Sequence, residues 1–155
     1  IQLDMLMPER FDMTYVGEDG QKHRPVMVHR ACFGSIERFI GILVENYAGA
    51  FPVWLAPIQV KILPISEKHM AYAAELRKKF KKAGIRVELD ESNEKIGYKI
   101  RKAQIEKVPY MAVIGDKEVE TGTVSVRDRA KGDLGAQRTD EFIAHIKDIS
   151  DSRKG

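Results

Sequence analysis

From Ile58 onward the apolar residues switch repeatedly between a period of two and a period near 3.6, and this alternation is the strongest constraint on the fold. "IQVKILPI" reads as a strand. Ser66 then caps a helix to about Ala83, with Met70, Ala73, Leu76, Phe80 and Ala83 on one stripe and Gly84 as its stop. "IRVEL" alternates as a second strand, "DESNEK" is a loop, and Glu94 to Lys107 carries a second helix. "YMAVIG" reads as a buried strand, "DKEVETG" as a turn and "TVSVRDR" as an alternating strand. After the loop "AKGDLGAQR", Thr139 caps a last helix with Phe142, Ile143, Ile146 and Ile149 inward. The resulting order is β-α-β-α-β-β-α. Strand–helix–strand units imply right-handed crossovers and parallel strands, while the short turn at 116–122 forces the last strand antiparallel. The expectation is a small, mostly parallel mixed α/β sheet flanked by helices over residues 58–155.

Residues 1–50 follow a different plan. Ile1, Leu3 and Met5 alternate, "GEDGQKHRP" reads as a turn region, and "PVMVHRA" is a strand. A helix from Ser35 to about Gly49 places Ile36, Phe39, Ile40, Leu43, Val44 and Tyr47 on one stripe. Two strands and one helix do not close a core, so this α+β segment reads as the tail of a larger domain. The chain opens mid-pattern on isoleucine, which reads as part of a longer polypeptide. "AGAFPVWLAP" is too apolar for a free linker, and 51–57 is expected to be a packed boundary.

The single cysteine, Cys32, excludes an intrachain disulfide framework and suits a reducing compartment; beside Ala31 and Phe33 it reads as core filler. No apolar run is long enough to span a bilayer. The net charge of +3 is unevenly spread: Arg77 to Lys107 holds eleven Lys/Arg against five Asp/Glu. Such a block is either a solvated face or the footprint of a polyanion such as nucleic acid.

Three groups of residues carry chemistry. Gly34, Ser35 and Arg38 surround a helix start, where free N–H groups and a guanidinium fork suit a phosphate; alternatively Ser35 only caps and Arg38 pairs with Glu37 or another acid. His29 ends a strand, as a core residue or as a ligand. Alone it cannot hold zinc, because His23, His69 and His145 are scattered and Cys32 has no partner at metal spacing. The "SNEKIGYKIRKAQ" run places Lys95, Lys99 and Lys102 on related faces with Tyr98 and Arg101, after Asn93 at the helix entry. A stacking ring, an amide and a guanidinium in that crevice suit single-stranded RNA, or the helix keeps a soluble face. No Walker A loop, GxGxxG or Ser-His-Asp order is present, and "ELDESNE" lacks calcium-site spacing.

Together these motifs resemble the class II aminoacyl-tRNA synthetases of the threonyl type. "IQLDMLMPERF" and "RPVMVHRACFGSIERFIGILVENYAGAFPVWLAPIQV" are similar to the end of the catalytic domain, including the third class II signature motif. "AGIRVELDESNEKIGYKIRKAQIEKVPYMAVIGDKEVETGTVSVRDR" is similar to the anticodon-binding domain. The resemblance implies that Arg38 holds the ATP phosphates, with Gly34 and Ser35 as the adjoining wall and magnesium accompanying the nucleotide. It implies that Gln2 lines the adenylate pocket and that His29 is one of three zinc ligands, the other two upstream. Asn93, Arg101, Glu118 and Arg127 then match positions that contact anticodon bases, with Lys95, Tyr98 and Lys99 beside them. It further implies a tRNA partner, threonine and ATP as substrates of a full-length homodimer, and a cytoplasmic or organellar location. Motifs 1 and 2 are absent, so this chain alone is not expected to activate threonine. A non-catalytic RNA-binding module and a prolyl, histidyl or glycyl relative are the alternatives.

Overall fold

The structure is a computed structural model that describes residues 1–153; the last two residues of the expected 58–155 domain lie outside the described residues. The chain divides into two compact units, residues 1–42 and a second from Leu43 onward.

The first unit contains β1 (Gln2–Asp4), α1 (Leu6–Arg10), β2 (Tyr15–Val16), β3 (Lys22–His23) and β4 (Met27–His29). β1 pairs antiparallel with β4, placing Gln2 opposite His29, and β2 pairs antiparallel with β3. The "GEDG" segment is the turn of that hairpin, with Gly20 N–H donating to the Gly17 carbonyl at 3.0 Å. Asp4 Oδ1 accepts from the amides of Leu6 and Met7 at 2.9 and 3.0 Å, which starts α1, an element the apolar pattern does not announce. α2 (Ile36–Asn46) begins in this unit, and none of its side chains is buried. Ile36 and Ile40 of the expected stripe remain 65% and 51% exposed. Cys32 is likewise exposed and is not core filler. The reason is one of size: strands of two or three residues, paired two by two, cannot cover an amphipathic helix.

The second unit comprises β5 (Val60–Pro64), α3 (Met70–Lys82), β6 (Val87–Leu89), α4 (Ile96–Ile105), β7 (Tyr110–Ile114), α5 (Asp116–Thr121), β8 (Thr123–Asp128), β9 (Gly132–Arg138) and α6 (Thr139–Asp151). One five-stranded sheet runs β6-β5-β7-β8-β9. β5 pairs parallel with β6 and β7, whereas β7–β8 and β8–β9 are antiparallel. Every residue of β5 is buried, as expected for a central parallel strand covered on both faces. On one face Val60, Ile62, Ala112, Ile114, Val124 and Val126 meet α3 and α6. Phe142 of α6 lies edge-on to both Phe80 and Tyr110, at centroid distances of 5.8 and 5.7 Å. On the other face Leu63 and Met111 pack against Ala103, Ile96 and Ile100 of α4.

Two segments differ from the sequence reading. The 116–122 "turn" contains a helix, α5: Glu118 accepts the Gly115 amide at 2.9 Å, and Gly122 stops the helix. The 130–138 "loop" contains β9, so the sheet has a second antiparallel strand. Its register shifts between Val126 and Arg127, and its glycines and polar residues hide the period of two. Residues 51–57 are packed: Pro52, Val53 and Ala56 are buried. Arg86 donates to the carbonyls of Trp54 and Ala56 at 2.8 and 2.9 Å, and Arg129 donates to Ala50 and Phe51.

Candidate functional site

In the first unit, the β1–β4 register brings Gln2 and His29 together, and both line an open concavity of about 410 Å³ with Arg30 and Ala31. His29 Nε2 lies 3.3 Å from Asp4 Oδ2. The Asp4 carboxyl is held below the ordinary aspartate range chiefly by the Met7 amide, with His29 and the Leu6 amide adding to it against a desolvation cost. No group of three His, Cys, Asp or Glu side chains that could hold a metal occurs among the described residues. Alone, His29 offers one donor where three or four are needed.

The chain turns into α2 at Gly34, whose φ of +66° favours glycine. Ser35 Oγ donates to Glu37 Oε2 at 2.7 Å and accepts from the Arg38 amide at 3.4 Å, so the serine acts as the cap. That hydroxyl holds the Glu37 carboxyl below its ordinary range. The Arg38 guanidinium is exposed and makes no ion pair with any described residue.

In the second unit the carboxyl ends of β5 and β6 open into a cavity of about 390 Å³. Strand order reverses about β5, with α3 and α4 on opposite faces, and ligands of open α/β sheets collect at such ends. Asn93 and Lys99 both line this cavity, beside Ser66, Glu67, Glu91 and Glu94. Lys99 corrects the sequence reading. It does not share an exposed basic face with Lys95 and Lys102 but is 3% exposed, because α4 is turned so that position 99 joins Ile96, Ile100 and Ala103. Its ammonium donates to the Pro64 carbonyl at 3.1 Å and lies 3.9 Å from Asp90 Oδ1. Burial opposes ionisation of Asp90, but hydrogen bonds from Ser92 and the charges of Lys99 and Lys61 outweigh it and lower its pKa.

Lys95 is the residue before α4 and is exposed; Tyr98, on the first turn, is 57% exposed, and Arg101 is exposed. Arg127 lies opposite Met111 on β7, hence on the α4 face of the sheet, and donates to Asp133 at 3.0 Å. Its Nε is buried without a partner among the described residues. Glu118 stands on the first turn of α5, one oxygen committed to Gly115. A Cβ at Gly115 would come within 2.8 Å of Ile65 Cδ1, so glycine permits the approach of α5 to a cavity-lining side chain. The structure thus joins Asn93 and Lys99 at one cavity, sets Arg127 on the α4 side, and leaves Lys95, Tyr98 and Arg101 on the solvent side of α4.

Sequence reasoning missed the supports around this cavity. His69 is buried; its Nδ1 accepts the Ser66 amide at 3.2 Å, which leaves the proton on Nε2 to donate to Asp116 at 3.1 Å. This bond fastens the start of α3 to the start of α5. Lys68, and after it His69, lower the Asp116 pKa. The signal available in sequence was the Ser66-to-His69 spacing of a capping box.

Residues 59–149 match the family model described as "Anticodon binding domain", and residues 1–47 match "tRNA synthetase class II core domain (G, H, P, S and T)". The chain is 66% identical over 148 residues to a threonine–tRNA ligase of Desulforamulus reducens, covering 96% of this chain and 23% of that protein. Against the threonine–tRNA ligase of Clostridioides difficile it is 64% identical over 154 residues, 99% of this chain and 24% of the relative. The chain therefore spans about a quarter of the length of these curated relatives. A crystal structure of the RNA binding domain of threonyl-tRNA synthetase from Cryptosporidium parvum Iowa II superposes with a TM-score of 0.70 at 35% identity, covering 96% of this chain and 38% of that one.

Proposed function

Because the chain belongs to the anticodon-binding-domain family, we propose that it is the anticodon-reading part of a threonine–tRNA ligase, joined to the segment that closes the ATP site. The observation that carries this reading is the shared opening of Asn93 and Lys99 into one cavity at the carboxyl ends of β5 and β6. An unstacked RNA base is recognised there through hydrogen bonds to its edge. The Asn93 amide both donates and accepts, the Lys99 ammonium has donors beyond its bond to Pro64, and the exposed Tyr98 ring offers a stacking surface. Arg101, Arg127, Glu118 and Lys95 complete the face that meets the anticodon stem-loop.

In the full-length protein, threonine and ATP form a threonyl-adenylate, and the threonyl group passes to the terminal ribose of the tRNA. Arg38 is free of ion pairs with described residues, which suits a side chain directed at the ATP phosphates with their magnesium. Gly34 and Ser35 form the wall beside them, and Gln2 faces the adenylate. His29 supplies one ligand to a zinc ion whose other ligands lie outside this chain. The full-length protein is a homodimer of the cytoplasm. No helix among the described residues is long and apolar enough to cross a membrane.

The test is titration with the threonine anticodon stem-loop and a single-base variant of it. Asn93→Ala or Arg101→Ala should reduce discrimination by about 1–3 kcal/mol per lost base contact; unaltered discrimination in both refutes the assignment. For the metal, His29→Ala in the full-length protein should abolish bound zinc by elemental analysis, and unchanged zinc content would remove His29 from that role.

A further inference from the structure

The basic block of residues 77–107 does not form one surface. Arg77 donates to Glu91 at 3.4 Å, Arg86 is bound to the 54–56 carbonyls, Lys99 is buried, and Lys107 donates to the Ala48 carbonyl. Two exposed sets remain without ion pairs to described residues: Lys95, Arg101 and Lys102 at α4, and Lys78, Lys79, Lys81 and Lys82 on α3. α3 and α4 pack on opposite faces of the sheet. The anticodon assignment uses the α4 side and leaves the α3 set unexplained.

The four α3 lysines form a ridge. At 3.6 residues per turn they fall within an arc of about 160°, centred opposite the buried Ala73, Leu76 and Phe80. Glu75 is the one acid on that arc, and it forms no ion pair there. The helix dipole favours a cation in the last turn, but it does not call for four. Lys78 with Lys81, Lys78 with Lys82, and Lys79 with Lys82 are like charges at helical neighbour spacing, which opposes the helix. An external polyanion turns that repulsion into attraction. A membrane surface fits poorly, because the outward arc has no large apolar side chain to insert. Long, mobile ammonium groups without a fixed fork suit a phosphodiester backbone met in any sequence.

We propose that Lys78, Lys79, Lys81 and Lys82 form a second, sequence-independent RNA-binding ridge, on the face of the sheet opposite the anticodon site. The phosphodiester belongs either to the same tRNA or to a second RNA segment. The test measures binding of this chain to a fluorescent single-stranded 20-mer lacking the threonine anticodon, between 50 and 200 mM KCl. Replacing the four lysines by glutamine should make the slope of log K against log [KCl] shallower by about 3. This corresponds to removal of a roughly 50-fold salt-dependent loss of affinity over that range. The four-arginine variant keeps the positive charge and should keep the wild-type slope, which separates charge from folding. Anticodon discrimination should be unchanged in both variants, so failure of the ridge appears in the slope and failure of the anticodon reading appears in the Asn93→Ala series. Displacement of the 20-mer by whole tRNA, but not by the stem-loop, identifies the body of the same tRNA as the source; displacement by both identifies any RNA segment as the source, and displacement by neither overturns a sequence-independent ridge. An unchanged slope in the glutamine variant overturns the ridge, as does lysine-dependent binding to phosphatidylserine vesicles without such binding to RNA.

Discussion

Replacing Lys99 by methionine keeps the stem against Ile96 and Ile100 and removes the charge at the cavity floor. At 3.9 Å, and with an effective dielectric constant near 20, the attraction between Lys99 and Asp90 amounts to about 4 kcal/mol. The charged hydrogen bond to the Pro64 carbonyl adds about 1.5–3 kcal/mol. Against this, the methionine no longer carries the ammonium's desolvation penalty of several kcal/mol. Asp90 keeps its bonds from Ser92 at 3.0 and 2.5 Å, but Oδ2 is buried without a partner among the described residues. A net loss of about 2–4 kcal/mol follows, near the lower end for breaking a buried pair. Urea unfolding at pH 7 measures it. Asp90→Asn in the Lys99→Met background should recover more than about 1 kcal/mol relative to the sum of the single changes. The pH dependence has a defined sign. Asp90 has a lowered pKa when folded, so its contribution is present above the ordinary aspartate value and is lost as pH falls through the folded value. The gap between wild type and Lys99→Met is therefore widest at neutral pH and closes below about pH 4. A loss under about 1 kcal/mol at pH 7, or a gap independent of pH, would refute the coupling of the two buried charges.

Phe142→Ala should cost about 3–5 kcal/mol in urea unfolding, because the ring is fully buried between Phe80 and Tyr110; a loss below about 1 kcal/mol would contradict that packing. Burial, then the Asp128 carboxylate, pushes the Tyr110 hydroxyl up to about 12, so a phenolate step near that pH should vanish in Tyr110→Phe by ultraviolet titration. The folded protein holds this proton while the unfolded chain loses it near pH 10, so stability should fall as pH rises from about 10 to 12, and less steeply in the variant. Ionisation of Tyr110 together with the other tyrosines would show the environment to be wrong.

Elements with a strong period were legible because burial itself writes the period. β5 is buried throughout, and α3 and α6 each bury a stripe that the apolar spacing outlines: Ala73, Leu76 and Phe80, then Phe142 and Ile146. α5 and β9 were illegible for opposite reasons. α5 is six residues long with no buried side chain, and its signals, Glu118 at the third position and Gly122 at the stop, also suit a turn. β9 takes its conformation from hydrogen bonds to β8, and a strand held by its neighbour's backbone needs no apolar alternation of its own. α2 fails in a third way. Its stripe was read correctly as an apolar face, but the short strands of the first unit do not bury it. Periodicity states that a face requires a cover without naming the cover.

The basic residues show the same limit at the candidate site. In sequence, Arg77, Arg86, Lys95, Lys99 and Lys107 are equivalent members of one charged block. In the fold, Lys95 stays exposed, while the other four each acquire a role from the nearest acceptor. Arg86 reaches the carbonyls of the 51–57 segment, Lys99 reaches Pro64, and Lys107 reaches Ala48. Lys99 could not be told from Lys95, since a rotation of α4 by less than one residue's turn decides which of them enters the apolar stripe. That rotation is set by Leu63 and Met111 on the sheet below. Its consequence is chemical: a lysine kept within the stripe brings a second donor to the cavity that Asn93 enters from the rim. The donor set of this cavity therefore depends on the packing beneath α4 as much as on the polar residues that line it. Changes at Leu63 or Met111 that rotate the helix would move Lys99 while leaving every polar side chain of the cavity in place.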